Sequence, residues 1–311
     1  MRQSFNVTRS EAAHRKRTVT ASILIFTIIP LTILLGLKSG DKHYLLTSMV
    51  LLVLCMLPFF MVFEHRRPKA REIVLIAMMS ALTIVSQLLF YVTVPVQIGT
   101  AIVILSGVSL GPEAGFLIGA LSRFVLNFYA GQGPWTPWQM FCWGLLGFLA
   151  GLCFNRSNLN EKNSSQFKAV FGPVMCIAFA VIAAFVTYLI HPGEDQTFWG
   201  WRLYSFGAAG LLAGVLLQRK RLTADSVTLT LFTFFTTFIV YGGLMNVCAM
   251  MTAVGYQGSE YISFDTLRAL YVSGLPYDAA HAATAAVCIF LFGKLLIGKL
   301  ERVKVKYGIY R

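Results

Sequence analysis

The chain has 311 residues, of which 57% are hydrophobic and only 13% charged, and its mean hydropathy is +0.69. A charged share about half that of ordinary soluble domains excludes a soluble globular enzyme and a disordered chain. The net charge of +13 comes from 26 Lys and Arg against 13 Asp and Glu. The basic residues sit between apolar runs, so they read as membrane orientation and contact with anionic lipid rather than nucleic-acid binding.

The apolar runs are long and continuous rather than alternating, which predicts an all-α polytopic transmembrane helical bundle and not a barrel. Residues 2–17 are basic, and the run from Val19 to Leu37 follows with no small-x-small cleavage site. It reads as a retained first helix rather than a signal peptide. About ten spans are predicted, at 19–37, 44–63, 73–92, 96–110, 112–130, 138–154, 169–190, 203–218, 226–250 and 276–298. The fourth, sixth and eighth are short for a bilayer core of about 30 Å, so they are expected to be tilted, partly re-entrant or packed inside the bundle. With the N-terminus inside, 21 basic residues fall on inner segments and four (Lys38, Lys42, Arg202, Arg268) on outer loops. That asymmetry predicts an even number of crossings with both termini cytoplasmic.

Three parts are expected. Residues 1–67 form a basic tail and an appended helical hairpin, 68–300 the main membrane domain, and 301–311 a basic cytoplasmic tail. Within the second part, 157–221 is a possible inserted hairpin. A weak internal echo supports either insertion or duplication. WQMFCWGLLGFLAGLCFNR (138–156) aligns with WRLYSFGAAGLLAGVLLQR (201–219), and each copy follows a Gly-Pro that opens another helix, Gly111-Pro112 and Gly172-Pro173. Small residues at this spacing allow close helix packing in lipid.

The polar residues that break the apolar runs are the candidates for function. Pro112 suits the first turn of a helix, and Glu113 there meets the positive end of its dipole. Gly111, Gly115 and Gly119 form one small-residue stripe. Arg123 and Asn127 are four apart and share a helix face. A charge within a span faces a cavity or a partner, or snorkels to the nearer surface. The uncharged loop GQGPWTPW (131–138) offers Trp135 and Trp138 either as interfacial anchors or as a stacking lid over a planar ligand. In GLPYDAAHAATAA (274–286), Asp278 and His281 share a face near the outer end. They read as a polar cluster rather than a metal site. Asp278 is expected to pair with Arg123 if their helices are neighbours. Gln87 and Asn246 are further polar residues in apolar spans. The six cysteines all lie in apolar runs with no CxxC pair, so neither a disulfide framework nor a zinc site is expected. GxxxxGK[ST], HExxH and GxSxG are absent, as is an Arg-rich voltage-sensor helix.

Three stretches carry a family resemblance: AREIVLIAMMSALTIVSQ with Ala77 and Ala81 spaced as AxxxA, the run from Ala101 to Gly151 containing GPWTPWQ, and GLPYDAAHAA. With them, residues from about Pro68 to Lys299 resemble the substrate-binding S component of energy-coupling factor (ECF) vitamin transporters. The resemblance implies a six-helix core that captures an organic micronutrient from outside, without catalysis or a cofactor of its own. It implies partnership with a coupling (T) transmembrane subunit and two ATP-binding subunits in a prokaryotic cell membrane, which fits the missing P-loop. Ala77 and Ala81 would be the docking stripe for the coupling subunit. Ligand would sit under loops 92–98, 130–137 and 251–275, with Asn127, Gln132, Trp135, Trp138, Gln139, Asn246, Asp278 and His281 as candidate contacts. The chain departs from the family in its ten expected spans and in opening Met-Arg-Gln rather than the Met-His of metal-type relatives. Two other readings remain open. One is a membrane-embedded lipid or isoprenoid enzyme centred on Asp278, His281 and Arg123. The other is a stand-alone secondary transporter, suggested by the internal echo.

Overall fold

A computed structural model of the chain describes residues 70–90, 96–154, 173–193, 198–217, 225–257 and 263–309, with scattered positions between 19 and 57. The predicted spans 19–37 and 44–63 are described only in part, at helical positions that include a π-helical turn at Leu24–Ile28. Cys55, Gly172 and the loop residues 91–95 also fall outside them.

The described residues form helices and no strands. They are α1 (Ala70–Leu89), α2 (Ile98–Leu110), α3 (Pro112–Ala130), α4 (Thr136–Phe154), α5 (Pro173–Ile190), α6 (Trp201–Leu217), α7 (Ser226–Thr236), a π-helical turn (Thr237–Gly242), α8 (Gly243–Gln257) and α9 (Phe264–Tyr307). Five stretches are long and apolar enough to cross a membrane, among them Ser226–Ala253, which runs through the π turn as one rod. This is a polytopic membrane bundle.

Chemistry at the helix ends follows the sequence. Pro112 occupies the first turn of α3, and Gly111 supplies the positive φ of 104° that the abrupt α2–α3 reversal needs. Asp225 caps α7 by accepting from the Thr228 amide, and Ser263 caps α9 by accepting from the Thr266 amide. Gly308 closes α9 in the left-handed conformation.

The centre of the bundle is built where side chains are missing. α2, α3 and α4 pack on one another. A Cβ on Gly107 would lie 2.0 Å from the Gly147 carbonyl oxygen, and one on Gly119 would lie 2.5 Å from that of Trp143. Only glycine permits such backbone contact in lipid. α2 is 13 residues long and almost wholly buried, so the shortness of the fourth predicted span reflects a place inside the bundle.

The internal echo has a packing counterpart. Gly151 of α4 lies on Pro112 at the start of α3, and Gly214 of α6 lies on Pro173 at the start of α5. One turn along, Gly147 meets Gly115 while Gly210 meets the Cys176 carbonyl. The two hairpins share this joint. They diverge at Gly144, which faces the Phe116 ring, and Gly207, which faces Ile239 of the π turn.

The last helix differs from expectation. A start near Pro276 is predicted, yet α9 begins at Phe264 and runs 44 residues straight through Pro276. That is about 66 Å at 1.5 Å per residue, about twice the bilayer core. The Ser263 cap starts the helix upstream, and Pro276 removes only one of its hydrogen bonds. Most of the predicted loop 251–275 is therefore helical, at 251–257 in α8 and 264–275 in α9. At the opposite end, Lys304 donates to the Ser109 carbonyl at 2.6 Å and Arg71 donates to the Tyr307 carbonyl at 3.0 Å. These bonds tie the end of α9 to α2 and to the start of α1.

Candidate functional site

A cavity of about 290 Å³ lies toward the end of the bundle where α1 joins α2, α3 joins α4 and α8 joins α9. Its polar lining is Gln97, Arg123, Gln139, Asn246 and Asp278, and its other walls are Tyr241, Met245, Gly274 and Tyr277. Two polar networks face each other across it.

The first network is carried by α3 and α4. Arg123 donates through Nε to Gln139 Oε1 at 2.8 Å. Asn127 donates to the same oxygen at 2.8 Å and to Thr136 Oγ1 at 3.0 Å. Helical spacing makes this possible, because Arg123 and Asn127 share one face of α3 and Thr136 and Gln139 open α4. Thr136 in turn donates to Gln132 Oε1 at 2.9 Å and accepts from the Gly133 amide, which holds the loop shut over the first turn of α4. The Arg123 guanidinium carbon stands 5.2 Å from the Trp143 ring centroid. A guanidinium over an aromatic face is attracted by the ring's negative face. Among the described residues its Nη1 and Nη2 make no hydrogen bond.

The second network joins α9, α8 and α6. Asp278 Oδ2 accepts from the Tyr204 hydroxyl at 2.6 Å and from Asn246 Nδ2 at 2.9 Å. Asn246 Nδ2 also donates to the Gly242 carbonyl at 2.9 Å. A Cβ on Gly242 would lie 2.5 Å from Asp278 Cγ, and one on Gly274 would lie 2.5 Å from Asn246 Oδ1. Both glycines are required for the carboxylate and the amide to seat where they do.

A third group lies deeper. His281 is 1% exposed, its Nε2 is 2.8 Å from Thr100 Oγ1, and the Tyr241 ring meets it edge-on at 4.5 Å. His281 Nδ1 has no hydrogen-bond partner among the described residues. Nearby, Gln87 bonds Gln97 and accepts from the Gly99 amide, bracing the start of α2.

Of the predicted contacts, Gln139, Asn246 and Asp278 line the cavity, as does Arg123. Asn127 is buried behind Gln139, and His281 behind Tyr241. Gln132 is used within the loop, donating to the Phe124 carbonyl at 3.1 Å. Trp135 folds back over its own loop, with its ring against Gly133 and Nε1 3.4 Å from the Gly131 carbonyl. Trp138 is 1% exposed and belongs to the core rather than to the surface of the loop. Arg123 and Asp278 share the cavity but form no ion pair with each other, since each is held by neutral partners. Gln97, Tyr241, Met245, Gly274 and Tyr277 are lining residues that sequence reasoning missed. Tyr241 lies in the π turn that precedes the cavity residues of α8, and such turns gather at functional sites.

Ala77 and Ala81 lie on the exposed face of α1, flanked by exposed Ile73, Val74, Met78, Leu82 and Val85. The opposite face, with Leu75, Ile76, Met79 and Thr83, is buried against α2 and α3.

Residues 68–191 match the family model for the ECF-type riboflavin transporter, S component. Over this segment the chain is similar to ECF S components. Members of that family are transporter subunits and not catalysts. The match ends with α5, so it contributes Gln97, Arg123 and Gln139 to the cavity, while Asn246 and Asp278 come from helices beyond it. No solved structure matches the chain.

Proposed function

We propose that this chain is an ECF S component that captures riboflavin, or an organic micronutrient with a similarly flat and polar-edged ring, from the outer side of the membrane. It then docks on a coupling transmembrane subunit with two ATP-binding subunits, which drive release of the ligand inside. The observation that carries this reading is the cavity itself. It lies at the bundle end expected to face outward, and one wall of it comes from the segment matching the riboflavin family. Its volume is near the lower bound of about 300 Å³ for small-molecule sites, and aromatic walls with a few convergent polar groups are the usual composition of such sites.

The chemistry supports a flavin ring. The dione edge of an isoalloxazine sets a ring N–H between two carbonyl oxygens. Arg123 presents donors and Asp278 an acceptor in the same cavity, while Tyr241 and Tyr277 supply aromatic surface. With one guanidinium and one carboxylate the lining is balanced in formal charge, which suits an uncharged ligand.

Titration of riboflavin into the purified chain, followed by quenching of flavin fluorescence, tests this. Saturable one-to-one quenching that is lost in Arg123→Ala supports the reading. Unquenched riboflavin over a wild-type chain that is folded by circular dichroism overturns the flavin assignment.

A further inference from the structure

The hydroxyl that meets Asp278 comes from an unexpected place. Tyr204 lies on α6, in the 201–217 helix of the second hairpin, outside the segment that matches the family. Its side chain is 3% exposed. The ring is stacked on Phe238 of the π turn at 5.3 Å and on Tyr271 of α9 at 4.4 Å, near parallel to both. Tyr271 is itself anchored, its hydroxyl donating to the Gly243 carbonyl at 3.3 Å. Tyr204 is therefore a rigid post, with its hydroxyl placed 2.6 Å from Asp278 Oδ2.

Both donors on Asp278, Tyr204 Oη and Asn246 Nδ2, meet the same oxygen. A carboxylate gripped through one oxygen cannot rotate about its Cβ–Cγ bond without losing both bonds. Among the described residues Oδ1 accepts no hydrogen bond, and Asp278 lines the cavity. The arrangement turns a flexible anion into a fixed acceptor.

We propose that Tyr204 is a positioning residue of the ligand site: the second hairpin, through Tyr204, holds Asp278 with Oδ1 directed into the cavity to accept an N–H of the ligand. The ligand class that follows is a heterocycle with a ring N–H, such as an imide or lactam edge. This rests on the capture reading above and deepens it. The hairpin α5–α6 is then part of the binding site rather than a peripheral addition.

The test is a double-mutant cycle on riboflavin affinity in the detergent-purified full chain, with Tyr204→Phe, Asp278→Asn and the double variant. Tyr204→Phe keeps the stacked ring and removes only the hydroxyl. We expect it to weaken binding by about tenfold, in line with a lost hydrogen bond to a charged group. In the Asp278→Asn background the same change has no further effect, because Tyr204 acts only through Asp278. An N3-methylated flavin, which lacks the ring N–H, should bind wild type and Tyr204→Phe alike. Unchanged affinity in Tyr204→Phe, or additive losses in the cycle, overturns the proposal.

A ligand-free readout separates this from the flavin reading. The infrared carboxyl band that vanishes in Asp278→Asn should shift in Tyr204→Phe. If wild type binds no riboflavin, the flavin assignment falls and this band decides: a shifted band sustains the positioning role, and an unshifted one overturns it.

Discussion

Arg123 reaches Gln139 through Nε alone, at 2.8 Å, and its two terminal nitrogens make no hydrogen bond among the described residues. The guanidinium also lies over the Trp143 ring, at 5.2 Å to its centroid. The bond thus orients a planar donor fork toward the cavity. Asn127 donates to the same Gln139 oxygen, so one amide aligns two donors from a neighbouring helix.

Replacing Arg123 with Lys tests that orientation. An ammonium keeps the charge but loses the Nε bond and the guanidinium's contact with the Trp143 ring. Arg123→Lys is expected to bind riboflavin at least about tenfold more weakly than wild type, the scale of a lost hydrogen bond to a charged group. Titration calorimetry or fluorescence quenching measures it. Wild-type affinity would show that only the charge matters.

Tyr277 lines the cavity, whereas Trp135 is occupied with Gly131 and Gly133. Tyr277→Ala should therefore weaken binding more than Trp135→Ala, and neither should lower thermal stability strongly. Trp138 belongs to the core, so Trp138→Ala should destabilise the fold by about 3–5 kcal/mol. Dissociation constants and detergent melting curves on the three variants separate a ligand wall, a loop brace and a core residue.

The glycine joint between α3 and α4 makes a stability prediction. A methyl on Gly147 would lie against the Gly115 carbonyl oxygen, while one on Gly298 would meet nothing within 4 Å among the described residues. Gly147→Ala should cost about 1–3 kcal/mol through overpacking. Gly298→Ala should be neutral or stabilise by about 0.5–1 kcal/mol through helix propensity. Thermal unfolding in one detergent compares them directly, and equal melting temperatures would contradict the packing account.

Ala77→Trp with Ala81→Trp should abolish uptake while leaving riboflavin affinity unchanged. Both residues sit on the exposed face of α1, away from the cavity lining, and bulk there blocks a close helix approach. Binding to the purified chain and uptake by cells are measured on the same variant. Parallel loss of both would argue against a docking role.

The described spans were legible in the sequence because hydropathy reports burial in lipid directly. Arg123, Gln139, Asn246 and Asp278 were legible for the same reason in reverse, since a polar residue within an apolar run needs a partner or a cavity. Tyr241, Tyr277, Met245 and Tyr204 were not, because aromatics and methionine are ordinary in membrane helices and only the fold shows which ones meet. The start of α9 was misplaced because Pro276 reads as a first-turn residue, and nothing in the sequence weighs it against the Ser263 cap upstream. The π turn leaves no local mark; it is visible only through the neighbours that Tyr241 and Gly242 acquire.

Affinity purification of the tagged chain from native membranes in mild detergent, with co-purifying proteins identified by mass spectrometry, tests the account most directly. The account predicts recovery of a coupling transmembrane subunit together with P-loop ATPases, and loss of that recovery in the Ala77→Trp, Ala81→Trp variant. Recovery of the chain alone, with riboflavin uptake that persists when no ATPase partner is present, would contradict it.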